Sequence, residues 1–153
     1  MTVKMDSLAA NLKAEADGEW IPVKEWSGLN PDRPLEVTPL PGVAFRVRST
    51  NYDAYVVARQ AALEKIKQDY PDEKVPQEVA SRIEGELAAR HLLLEWRGFD
   101  VPYSIEAANA IVTAEEHRNI RGMIYWCAGR VGRKQVEFVK DQGKNSVAPS
   151  GTK

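Results

Sequence analysis

Few side chains in this chain have both the type and the spacing that metal chemistry requires. The two histidines, His91 and His117, lie on different predicted helices and belong to no His-x-x-x-His or Glu-x-x-Glu-x-x-His pattern. A protein metal site needs several nitrogen, sulfur or carboxylate ligands that converge on one point. The sequence therefore predicts no metal site, and both histidines are expected to be ordinary packed or half-exposed side chains.

The single cysteine, Cys127, could act as a nucleophile only beside a base that takes its proton. It lies between Trp126 and Ala128 in a predicted helix, where a thiol usually packs as a small apolar side chain. One cysteine also excludes an internal disulfide and a cysteine-rich metal site. We therefore predict that Cys127 belongs to the core and that the chain has no catalytic cysteine.

Residues 129–134, with the sequence GRVGRK, combine glycines and cations as a phosphate-binding loop does. They lack the Gly-x-x-x-x-Gly-Lys-[Ser/Thr] spacing, and no predicted strand precedes them. We expect no bound nucleotide and no other cofactor. Since no catalytic group of residues is evident either, the sequence predicts a non-enzymatic protein.

Basic residues are frequent in the last predicted helix, which also contains Tyr125 and Trp126. Such a helix can contact a nucleic acid backbone. Arg118 and Arg121 lie far from residues 130–134 along the predicted helix, however, and acidic neighbours dilute the field, so a solvated or partner-facing surface is favoured. A nucleic-acid-binding regulatory protein remains the alternative, and it would use these side chains: Arg118, Arg121, Arg130, Arg133, Lys134 and Lys140.

The charged residues nearly balance, with 21 lysines and arginines against 22 aspartates and glutamates. The formal net charge of −1 gives no overall attraction to nucleic acid or to an anionic membrane. No stretch approaches the roughly 18 consecutive apolar residues of a transmembrane helix, so no membrane partner is expected. We predict a single domain over residues 1–141, followed by a disordered tail over 142–153 that has no apolar period.

The predicted fold is mainly α, with four to five helices and a small N-terminal antiparallel β element. Prolines and glycines break any helical period between residues 19 and 41, and Val43, Phe45 and Val47 then lie on one face of a predicted strand with Arg46 and Arg48 on the other. We place the β element in residues 18–48 and a helical core in residues 50–141. The apolar spacing predicts these helices: 52–70, 76–97, 105–112 and 113–140.

Two groups of large apolar residues are candidates for partner binding. Trp96, Phe99 and Tyr103 lie at a predicted corner between two helices, with Gly98 ending the first and Ser104 capping the second. The last helix has a seam with coiled-coil spacing, which predicts a homo-oligomer. The candidate contact residues of that seam are Ile120, Ile124, Val131 and Phe138.

The corner also resembles a known family. An apolar helix end, a Trp-x-Gly turn, Pro-Tyr-Ser and a short helix are similar to the C-terminal core of siphophage tail assembly chaperones in their short form. The matching residues are Trp96, Gly98, Phe99, Pro102, Tyr103, Ser104, Glu106 and Asn109. A weaker match lies in residues 45–55, with the sequence FRVRSTNYDAY.

The resemblance implies a non-enzymatic phage or prophage protein that coats the long, helical tape measure protein. It also implies help in recruiting tail tube protein subunits, a location in the host bacterial cytoplasm and absence from the mature virion. Asn109 joins the candidate partner-binding residues on this basis. Amphipathic helices with apolar surface and no catalytic residues are compatible with such a role.

Overall fold

The computed structural model describes residues 1–140. It is 46% helical and 16% strand, with five α-helices and three small sheets, which makes it a mixed α/β fold. The prediction of a mainly α fold with one N-terminal β element was therefore wrong. The tail predicted over 142–153 lies outside the described residues.

Residues 1–140 contain the following helices and strands. The α-helices are α1 (Leu12–Asp17), α2 (Asp53–Asp69), α3 (Gln77–Leu87), α4 (Ile105–Val112) and α5 (Arg118–Ala128). A π-helical turn (Ala88–Leu92) extends α3, and 3-10 helices occupy Met5–Leu8 and Glu115–His117. The strands are β1 (Thr2–Val3), β2 (Glu19–Pro22), β3 (Glu25–Ser27), β4 (Val37–Pro39), β5 (Ala44–Val47), β6 (Leu93–Arg97) and β7 (Phe138–Val139).

An antiparallel sheet with the strand order β2-β5-β6 forms one side of the core. The predicted alternation in β5 is confirmed, because Phe45 and Val47 are fully buried while Arg46 points away from the core. Pro22 ends β2 at the edge of this sheet. Proline has no backbone N–H, and an edge strand does not need that donor for pairing. Two smaller ribbons, β3-β4 and β1-β7, lie outside the central sheet.

Strand β6 replaces the last turns of the helix predicted over 76–97, which was wrong at this end. Phe45 pairs with Trp96 and Val47 pairs with Leu93, so the register shifts by one residue between them. This β-bulge places both Leu93 and Trp96 on the buried face although they are three positions apart. A spacing of three looks like a helix in the sequence, which explains the error.

The helix predicted over 113–140 was also wrong in length. Helix α5 ends at Ala128, and β7 pairs with β1 at the far end of the chain. The capping box expected at Thr113 does not form, since its hydroxyl donates instead to the carbonyl oxygen of Asn109. The Ser104 cap of α4 is confirmed, because the amide of Ala107 donates to its hydroxyl at 3.0 Å.

Helix α5 packs against β5 of the central sheet, α3 and α4 pack against α5 and against each other, and α2 lies at the margin of the core. Residues 52–70 were correctly predicted as a helix, but only Tyr55 in α2 is buried. Val56 and Leu63, two of the apolar residues with helical spacing in α2, are 37% and 42% exposed. Helix α2 is therefore attached at its first turn and exposed along most of its length.

Arg121 joins three of these elements in the interior. Only 6% of the residue is exposed, and its guanidinium donates to the Ser81 hydroxyl of α3 at 3.1 Å. It also donates to the carbonyl oxygen of Val112, the last residue of α4, at 3.2 Å and to that of Ala114 just after it. Helix C-terminal carbonyls lack partners inside their own helix, so this cation satisfies them.

Close contact between α3 and α4 makes the Arg121 contacts possible. Gly85 of α3 faces the backbone of Val112 and Thr113 so closely that any Cβ would overlap it. An alanine at position 85 would push the end of α4 away from α3. The absence of a side chain at Gly85 therefore sets the distance that Arg121 spans.

We predict that Arg121→Ala lowers the free energy of unfolding by about 3 kcal/mol, because several buried acceptors lose a charged donor. Arg118→Ala is the matched control, since Arg118 is an exposed arginine one turn earlier in α5. It should change stability by less than about 0.5 kcal/mol. Urea unfolding followed by circular dichroism measures both, and equal stability of the two variants would contradict the role of Arg121.

Candidate partner-binding surfaces

The aromatic corner forms a buried cluster at the end of β6. The indole N–H of Trp96 donates to the carbonyl oxygen of Val101 at 2.7 Å, and Trp96 is 6% exposed. Its ring makes edge-to-face contacts with Tyr103 at 5.2 Å and with Phe99 at 6.4 Å between centroids. Phe99 in turn contacts Phe45 of the sheet at 5.6 Å. The cluster therefore fills the space between the sheet and α4.

The same corner opens to solvent through a small pocket of about 140 Å³. Trp96 and Phe99 line it together with Ile120, so the structure brings three of the candidate residues to one place. The volume is enough for one or two apolar side chains of a partner. The complete lining is Trp96, Phe99, Asp100, Val101, Ile111, His117 and Ile120.

The remaining candidate residues do not form one surface. Ile124 and Val131 are buried inside this domain, with 0% and 3% exposed. Phe138 is exposed but lies on β7, and Asn109 is exposed on α4. Homo-oligomerisation stays a prediction, but the continuous helical seam that motivated it does not exist.

The surroundings of Cys127 and His91 shift the pKa values of both side chains. Cys127 is fully buried, as predicted, and its thiol donates to the carbonyl oxygen of Ile21 at 3.8 Å. Burial raises the pKa of this thiol to about 12. Burial, and then the nearby Arg90 and Arg48, lower the pKa of His91. Within residues 1–140, no group of three potential ligands could hold a metal ion.

An open groove of about 380 Å³ lies between α2 and α3, and sequence reasoning missed it as a site. Tyr125 closes its inner end, where the phenol donates to the carbonyl oxygen of Glu84 at 2.7 Å and the ring contacts Tyr55. Burial is the main cause of the raised pKa of Tyr125. The apolar lining residues are Tyr55, Ala62, Leu63, Ile66, Val75, Ala80, Ile83, Leu87 and Tyr125.

A second groove of about 430 Å³ also lies between α2 and α3, on the other side of their contact. Ile66, Ile83 and Leu87 line both grooves, so α2 and α3 touch along a narrow line between them. The apolar spacing in α2 and α3 was the available signal for this region. That spacing reveals an apolar face, but it cannot reveal whether the same chain covers that face.

The chain matches the model of a known protein family. The model of the YdaY prophage protein family matches residues 50–145, which is more than half of the chain. The chain belongs to the YdaY prophage protein family. The YdaY match includes every residue that lines the two grooves beside α2 and the aromatic corner. No curated protein and no solved structure matches the chain.

Membership in the YdaY family supports the prophage origin that the resemblance implied. The matched region begins just before α2, so strands β1 to β5 lie outside it. Among the described residues, no helix has the length and apolarity needed to cross a membrane.

We predict that Trp96→Ala lowers the free energy of unfolding by about 3–5 kcal/mol, because it removes a buried ring and leaves a cavity. Ile105→Ala is the control, since Ile105 is 68% exposed on the neighbouring helix α4. It should change stability by less than about 0.5 kcal/mol. Chemical denaturation gives both values, and an unchanged midpoint for Trp96→Ala would show that the ring is not part of the core.

We also predict that folded protein protects Cys127 from Ellman's reagent at pH 8, with a rate at least about 100-fold below that of unfolded protein. The unfolded thiol ionises near its ordinary pKa of 9.0, before the folded one. The free energy of unfolding should therefore fall as the pH rises above about 9, and less so in Cys127→Ala. Rapid labelling of the folded protein would contradict this burial.

Proposed function

We propose that this prophage protein is a tail assembly chaperone that holds an amphipathic helical segment of the tape measure protein beside α2. The observation that carries the proposal is the open apolar groove between α2 and α3, with Leu63 42% exposed at its rim. Exposed apolar surface of this kind on a small domain is typical of a protein-binding site. The resemblance of residues 92–113 to tail assembly chaperones supports the choice of partner.

The dimensions of α2 suit a helical partner. Helix α2 has 17 residues and is therefore about 25 Å long, which offers a partner helix several turns of contact. A helix that binds in a groove inserts side chains spaced by three and four residues. Leu63, Ile66 and Ile83 would contact such side chains along the groove.

The charges at the groove rims favour reversible binding. Arg59 and Glu84 border the first groove, while the second is bordered by Lys65, Asp69, Arg82, Glu86 and Arg90. Both signs are present, so no strong single-sign field selects one sequence. A chaperone that covers many different segments of a long protein needs this tolerance.

The attachment of α2 through its first turn allows the width of the groove to change. Tyr55 is the one buried residue of α2, so its last turns can tilt away from α3 without opening the core. In the proposed role the protein keeps the tape measure protein soluble in the host cytoplasm. It then hands the tape measure protein over to the tail tube protein and is absent from the mature virion.

The test is co-expression of this protein with the tape measure protein of the same prophage. Wild-type protein should raise the soluble fraction of the tape measure protein severalfold and elute with it in size-exclusion chromatography. Leu63→Glu should abolish both effects, because it places a charge in the apolar groove. Val57→Glu is the matched control, since Val57 is 66% exposed on α2 and lines neither groove.

Thermal unfolding of both variants checks that each is folded, and we expect melting temperatures near that of the wild type. Equal loss of binding in both variants would place the contact outside the groove. No effect of the wild-type protein on the tape measure protein would overturn the proposed function.

A further inference from the structure

A second surface arises where α5 ends and the chain folds back. The turn after Ala128 brings Arg133 and Lys134 to a groove of about 520 Å³ that Lys24 also lines. Arg118 and Arg121 of the same predicted helix lie outside this groove, and Arg121 is buried in the core. The groove gathers Arg130, Arg133 and Lys134, which are close in the sequence, with Lys24 from the segment after β2. The lining is Ile21, Pro22, Lys24, Glu25, Trp126, Arg130, Arg133, Lys134 and Gln135.

Trp126 provides an accessible aromatic ring in this groove, with 42% of the residue exposed. The guanidinium of Arg130 lies over its ring at 4.7 Å from the centroid. The edge of the Trp126 ring meets Trp26 at 6.4 Å between centroids, with the planes 87° apart. Contacts on two sides therefore hold the indole and the guanidinium in a fixed arrangement.

The groove has an excess of positive charge. Lys24, Arg130, Arg133 and Lys134 face a single carboxylate, that of Glu25. Within residues 1–140, the ion pairs involve none of these four cations. An anionic partner would therefore gain their attraction without displacing an existing ion pair.

The floor of the groove offers little apolar surface for a protein partner. Ile21 is 8% exposed, and apart from the indole of Trp126 the groove has only Pro22 as an accessible apolar contact. Protein interfaces gain most of their energy from apolar anchors in pockets. A nucleic acid strand gains it from phosphate contacts and from stacking of bases on aromatic rings.

We propose that this groove binds single-stranded nucleic acid, with a base stacked at Trp126 and Arg130 and phosphates held by Lys24, Arg133 and Lys134. This binding is separate from the proposed chaperone function, because none of these residues lines the grooves beside α2. It is independent of base sequence, since stacking and phosphate contacts read no base edges.

The experiment measures fluorescence anisotropy of a short fluorescein-labelled oligothymidylate with the whole protein. Three or four phosphate contacts predict that affinity falls about 20- to 50-fold between 50 and 200 mM NaCl. The double variant Arg133→Glu/Lys134→Glu should lose measurable binding. The matched control is Lys67→Glu/Lys74→Glu, which changes the net charge equally at exposed lysines outside the groove and should keep binding within about threefold.

The stacking contribution is tested separately at Trp126. Trp126→Ala should weaken binding about 5- to 100-fold, while Trp126→Phe keeps a ring and most of the affinity. Circular dichroism confirms that the variants are folded.

Three outcomes would overturn the proposal. The first is no binding of the oligonucleotide by the wild-type protein at 50 mM NaCl. The second is an equal loss in both double variants, which would indicate nonspecific attraction. The third is displacement by polyglutamate at the same charge concentration as by unlabelled oligothymidylate, which would identify acidic protein segments as the partner.

Discussion

The guanidinium of Arg121 is the interaction on which the helical layer depends. It is a permanent cation held by neutral acceptors from α3, from the end of α4 and from the turn that leads to α5. Burying a charge is unfavourable unless its donors are all used, so the three segments must keep their positions. The fixed position of α3 then defines one wall of both grooves, and the fixed position of α5 defines where the basic groove forms.

Parts of this fold could be predicted from the sequence, because their structure depends on residues close to one another along the chain. The strand β5, the helix α2, the Ser104 cap and the buried Cys127 each follow from a local pattern. Strand β6 was not readable, because its bulge is fixed by pairing with β5. The end of α5 depends in the same way on contacts with distant residues, since β7 pairs with a strand at the start of the chain.

The candidate surfaces also differ in whether they depend on neighbouring residues or on distant contacts. The clustering of Trp96, Phe99 and Tyr103 was expected, because three large apolar rings within eight positions at a turn lie within contact distance. The grooves beside α2 were missed because periodicity identifies an apolar face without saying what covers it. The basic groove was not predicted, because Lys24 joins Arg130, Arg133 and Lys134 only in the folded chain.

The ribbon of β1 and β7 has a consequence for how this chain is made. Val3 pairs with Phe138, and the amide of Lys4 donates to the carbonyl oxygen of Glu137 at 2.8 Å. These contacts close a loop of more than a hundred residues, which is entropically unfavourable until the core between them has formed. On the ribosome, the first residues must therefore wait for nearly the whole domain to be translated. During that time Thr2 and Val3 lack the strand that pairs with them in the folded domain, so these residues stay open to contact with other proteins of the cell.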